Sequence, residues 1–143
     1  MSPVEAELRT IGEVAMLALC LWREARGETP LVRTGIAWTV KNRAAKGGWW
    51  GSDVIGVITK QWQFSSMTDP KDPQLTKWPT FADPTYLECL ELASDVLGDR
   101  IPDPFPGEDS YYDQSIPAPD WAKPEAFVGA AGRIKFFDVR GIP

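Results

Sequence analysis

The sequence predicts an α+β domain that is predominantly α-helical, on three observations. Apolar residues recur at helical spacing over residues 5–26 and again over 84–97. Capping residues, prolines and glycines divide the stretch between them into further short helices and loops. The tail AFVGAAGRIKFF holds two short apolar runs around Gly-Ala-Ala-Gly, the pattern of a small hairpin. At 143 residues, with 43% apolar and 24% charged residues, the chain has the make-up of one compact domain spanning 1–143.

The first helix, residues 5–26, carries Leu8, Ile11, Ala15, Ala18, Leu19 and Trp22 near helical spacing. Its later half, Val14 to Trp22, is apolar all round, as in a helix buried in a small core. Gly27 is expected to end it in a left-handed turn. Thr29-Pro30 reads as an N-cap with proline at the first helical position, opening a second helix to about Ala45 with Gly47-Gly48 as its stop. Ser52 is placed to cap a short third helix, Asp53 to Lys60. Met67 to Pro84 reads as a long irregular connection. Asp83-Pro84 opens the clearest helix, PTYLECLELASDVL. The six prolines of IPDPFPGEDSYYDQSIPAPDWAKPE exclude helix and central strand, so packing of Phe105, Tyr111, Tyr112 and Trp121 is expected to hold that segment.

Composition removes several function classes. A net charge of −5 and the lack of a Lys/Arg block argue against nucleic acid, whose binding is driven by phosphate neutralisation. The apolar run is shorter than the roughly 20 residues of a membrane span, and the acidic start MSPVEAELRTIGEV does not read as a secretory signal. Cys20 and Cys89 sit where free buried thiols usually lie, although one disulfide between them is open. There is no histidine. Zinc hydrolases and Ser-His-Asp or Cys-His hydrolases thereby lose their usual parts, and two cysteines cannot build a thiolate metal site, so no metal or cofactor is expected. Proton chemistry falls to Asp or Glu.

Glu24 follows the buried run, two residues beyond Trp22. A carboxyl next to that indole in a partly dry pocket has its ionised form disfavoured and can hold a proton near neutrality, as a general acid for glycoside cleavage must. The cluster Arg23, Glu24, Arg26, Glu28 also fits a solvated helix end. Glu28 is either a neighbour that sets the proton affinity of Glu24 or a helix cap near Thr29. Asn42-Arg43 is either a support for the Glu24 turn or an ordinary helix end.

The run Glu24-Ala-Arg-Gly-Glu28, the helix carrying Ala37 to Asn42-Arg43, Val54-Ile-Gly-Val-Ile58 with Gln61-Trp-Gln-Phe64-Ser65, and Tyr111-Tyr112, Pro119-Asp-Trp121-Ala122 and Phe136-Phe137 resemble the SleB-type cell wall hydrolase family in the family's order. That family includes spore cortex-lytic enzymes and phage lysis proteins. The resemblance implies a lysozyme-like, lytic-transglycosylase-like fold that cleaves peptidoglycan between N-acetylmuramic acid and N-acetylglucosamine, with Glu24 as the catalytic residue; Glu28, Arg26 and Asn42 are the expected supporting residues by their positions around it. Several family members carry histidines near the positions of Tyr111 and Lys135, which this chain lacks. Cleavage on one acid proceeds when Glu24 protonates the glycosidic oxygen and then takes a proton from the muramic 6-hydroxyl, closing an anhydro ring. True hydrolysis needs a second carboxylate, for which Glu28 and Asp113 are available.

Sugar rings present apolar faces to flat aromatic partners. Trp62, Tyr111 and Tyr112 are expected to line a glycan groove, with Gln63, Phe64, Ser65 and Ser66 following an apolar segment that faces it. The expected partner is a peptidoglycan strand met by a monomer without stable membrane insertion. The reading extends to a phage endolysin that waits in the host cytoplasm until a holin opens the inner membrane, then reaches the cell wall. The competing reading is a non-catalytic glycan-binding or virion structural module of the same fold. An amidase or peptidase is poorly served without histidine.

Overall fold

The computed structural model describes residues 1–140. Five helices and a small antiparallel sheet form an α+β, mainly helical architecture. Helix α1 spans Pro3–Ala25, with Ser2 Oγ accepting from the Glu5 N–H at 3.1 Å. Its first turns are exposed, whereas Leu17, Ala18, Cys20 and Leu21 are fully buried. The helix closes at Arg26 in right-handed geometry (φ −64°), and Gly27 is absent from the positive-φ residues, so the expected left-handed turn does not form. Arg33 does the closing instead: its Nη1 donates to the carbonyls of Ala25 (3.3 Å) and Glu28 (2.5 Å), satisfying acceptors that a helix end leaves open.

Thr29 caps α2, Pro30–Lys46, through the Val32 N–H, and Gly47 and Gly48 stop it at φ 68° and 72°, a region that glycine enters without strain. Helix α3 is Val54–Thr59, and its cap is Asp53 rather than Ser52. A one-turn α4, Ser65–Thr68, and a 3-10 turn at Pro73–Thr76 interrupt the expected irregular connection. Helix α5 is Pro84–Leu97, capped by Asp83. Helices α1, α2 and α5 pack together, with α3 against α1 and α2. Cys20 and Cys89 are free and buried.

The tail folds as the expected hairpin, β2 (Phe127–Ala131) and β3 (Ile134–Phe137), turning at Gly132-Arg133. A third strand, β1 (Ser110–Asp113), pairs with β3 and puts Tyr111 opposite Phe136. The proline-rich segment thus supplies a strand after all, in its proline-free centre and at the edge of the order β1-β3-β2. One sheet face docks on α2. There Phe136 stacks on Phe105 (centroids 4.5 Å apart) and meets Tyr111 at 5.8 Å. At Gly35 a Cβ would lie 2.5 Å from Phe136 Cζ, so only glycine admits the ring.

Polar bonds, as well as aromatic packing, hold the segment before β1 to α2. Asn42 Nδ2 donates to the Glu108 carboxyl at 2.7 Å and to Asp103 at 3.0 Å. Lys46 pairs with the buried Asp109 at 2.9 Å, and Arg43 Nε donates to the Asp109 carbonyl at 2.6 Å. Burial and the neighbouring Asp103 push the Glu108 carboxyl up to about 10. Protonated, its otherwise unpartnered Oε2 becomes a donor.

Candidate active site

Glu24 stands in the last turn of α1, partly buried, where the helices meet β1. The Tyr111 hydroxyl donates to Glu24 Oε1 at 3.1 Å across 87 positions of sequence. Burial raises the carboxyl's proton affinity. The hydroxyls of Ser66 and Tyr111 favour the ionised form, and the Asp72 charge again favours the proton, leaving a net upward shift. The Tyr111 phenol is itself raised by burial and then by Glu24, so it stays a donor. Glu24 lines an open cleft of about 460 Å3 with Arg23, Arg26, Glu28, Gln74 and Arg133.

The dry wall is not Trp22. Residues two apart lie on nearly opposite sides of a helix. Trp22 turns to α5, donating from Nε1 to the Asp83 cap at 2.9 Å, and Arg26 stacks on its ring at 4.2 Å. The side chain one turn back from Glu24 is the fully buried Cys20, whose thiol is raised by burial and by Glu24.

Arg23 anchors the chain beyond α3 to the end of α1. Its buried guanidinium donates to the carbonyls of Lys77 (3.0 Å) and Ser66 (3.1 Å) and lies over Trp78 at 4.6 Å. Those bonds tie α4 to α1 and set Ser66 beside Glu24. Next door, Ser65 Oγ donates to Asp72 at 2.6 Å, and with the Gln74 N–H this holds the Asp72 carboxyl below its ordinary range.

The other expected site residues divide. Arg26 and Glu28 share the cleft with Glu24; the Glu28 carbonyl accepts from Arg33, which places its backbone in the α1–α2 corner. Asn42 is corrected: it bonds Asp103 and Glu108 and none of the Glu24 turn, because its place on α2 aims it at the segment before β1. Phe64 is corrected as well; it is 1% exposed and belongs to the core. Ser65 turns its hydroxyl to Asp72. Gln63 accepts from Arg43 Nη1 at 3.3 Å and lines a neighbouring cavity.

Trp62 is 79% exposed, has φ 72° and borders a small groove with Gln61 and Ser65. Tyr112 faces away from Tyr111, since alternate strand residues point to opposite faces, and packs on Trp121 and Phe137. Asp113 shares Tyr111's face and sits 3.7 Å from Arg133 at the cleft rim. Sequence reasoning missed Asp72 and Gln74. Asp72-Pro73 reads as a turn cap, which it also is, so nothing local marks its second neighbour.

No curated protein and no solved structure matches the chain. A family model described as Cell Wall Hydrolase matches residues 27–137. The match takes in Asn42, Gln63, Asp72 and Tyr111 and begins three residues after Glu24. It spans well over half of the chain, including α2 through β3 and the Tyr111 strand that meets Glu24. The chain therefore belongs to the SleB-related cell wall hydrolases, whose substrate is peptidoglycan.

Proposed function

We propose that this protein cleaves the glycan strand of peptidoglycan between N-acetylmuramic acid and N-acetylglucosamine as a lytic transglycosylase, with Glu24 as its acid and base. One observation carries the reading. Glu24 lines an open cleft, and its carboxyl is held toward the protonated form and oriented by a buried phenol. Protonated, Glu24 donates to the glycosidic oxygen as the bond to the muramic carbon breaks. The resulting carboxylate accepts the proton of that sugar's 6-hydroxyl, whose oxygen closes onto the carbon. The Tyr111 hydroxyl stabilises the carboxylate between the two transfers.

Asp72 favours a second reading, muramidase hydrolysis. It is an ionised carboxylate that Glu24 senses, so two carboxyl groups have proton affinities driven apart, the pattern of an acid with a charged partner. Mass spectrometry of a complete peptidoglycan digest separates the two. Ring-closed muramic ends lack one water. Hydrated ends would move the assignment to muramidase, and an uncut glycan strand would remove both.

A further inference from the structure

A second cavity, of about 500 Å3, adjoins Tyr111 through Ser110 and Arg43. Among the described residues its lining includes Arg43, Arg140, Trp49, Trp121 and Gln63, and no carboxylate side chain, although the chain as a whole carries a net charge of −5. Arg43 is 8% exposed and donates to a backbone carbonyl and the Gln63 amide, with no ion pair among the described residues. Arg140 donates to the Gly47 carbonyl. Both guanidiniums lie over one indole, Trp50, at 5.5 and 5.0 Å from its centroid. The nearby Asp109 offsets Arg43 only in part, because its charge is shared. It is fully buried, paired with Lys46, and accepts from the N–H groups of Val139 and Arg140.

Two like charges held about one ring beside an open cavity repel each other, and a buried cation that shares its one acidic neighbour with Lys46 is only partly compensated. An anion entering the cavity relieves both. Trp49 is 61% exposed on the same cavity and offers a flat face to an apolar ring. Charge and flat surface together select a sugar that carries an acid.

Taking the glycan-cleaving reading as given, we propose that this cavity seats a carboxylate-bearing N-acetylated sugar unit of the strand, its ring on Trp49 and its acid on Arg140 and Arg43. The acid has two sources in peptidoglycan: the sugar's own ether-linked lactyl group once the stem peptide is removed, or the stem peptide's carboxylates.

Calorimetric binding in the Glu24→Gln background tests the seat without turnover. The probes are a stem-free strand with free lactyl acids, a stem-bearing strand of equal length, and a neutral N-acetylglucosamine oligomer. At low salt at least one acid-bearing strand binds tenfold or more tighter than the neutral oligomer, and the stronger of the two identifies the source. Arg140→Ala removes that preference while neutral binding stays within twofold, and Trp49→Ala weakens all three. Equal binding of acidic and neutral strands, or a preference that survives Arg140→Ala in a protein with unchanged near-ultraviolet circular dichroism, overturns the proposal. The outcomes separate from those for the mechanism: an acid preference in Glu24→Gln, together with a parent protein that leaves the glycan strand uncut, refutes the cleavage reading and keeps the seat.

Discussion

Tyr111→Phe removes one oxygen atom and with it the donor to Glu24 Oε1. The ring stays packed on Phe136, so the fold is kept. A hydrogen bond to a charged group contributes about 1.5–3 kcal/mol. At 3.1 Å this one is longer than the usual O–H···O spacing, which points to the lower end of that range. Because the bond favours the ionised carboxyl, its loss makes Glu24 hold its proton about tenfold more tightly, taking about 1.4 kcal/mol per tenfold. On the proposed mechanism Glu24 starts the reaction protonated, so activity falls as pH rises through its titration. The alkaline limb of kcat/KM on soluble peptidoglycan therefore moves to higher pH in the variant. A limb that stays in place or moves to lower pH refutes the claim that this phenol tunes the catalytic proton.

Asp72→Asn works in the opposite direction. Removing a charge that raises Glu24 lets the carboxyl ionise sooner, and the same limb moves to lower pH. Gly35→Ala drives a methyl to 2.5 Å from Phe136 and 3.0 Å from Phe105, both locked in the core, and should cost about 1–3 kcal/mol in urea unfolding. A loss under 0.5 kcal/mol would show that the sheet docks on α2 less tightly than described. Glu108 is raised to about 10 by burial, so the folded state holds a proton that the unfolded chain releases above about 4.3. Its contribution is full in acid and is lost as pH climbs toward 10. Glu108→Gln, which cannot ionise, should flatten that decline in urea midpoints between pH 5 and 9.

Much of this architecture is legible in local chemistry. Helix α5 follows from Asp83-Pro84 and its apolar spacing, α2 from Thr29-Pro30 and Gly47-Gly48, and the hairpin from the runs about Gly129 and Gly132. What is illegible depends on distant partners. Strand β1 exists because β3 offers it a ladder, which the prolines on either side of it hide. Of Tyr111 and Tyr112 only one can face the helices, and the choice is set by how the sheet docks at Gly35, not by either tyrosine. Asn42 finds its partners 61 and 66 residues away. The neighbour of Glu24, by contrast, was there to be read: helical period points to Cys20, four back, rather than to Trp22.

The most direct test is Glu24→Gln, which keeps the shape of the side chain and the Tyr111 contact but can neither give nor take the proton. The measurement is clearing of purified peptidoglycan by a variant whose near-ultraviolet circular dichroism matches the parent. We expect no release of glycan fragments above background at any pH from 4 to 9. Fragment release at the parental rate would contradict the account and leave a cell wall hydrolase whose acid lies elsewhere.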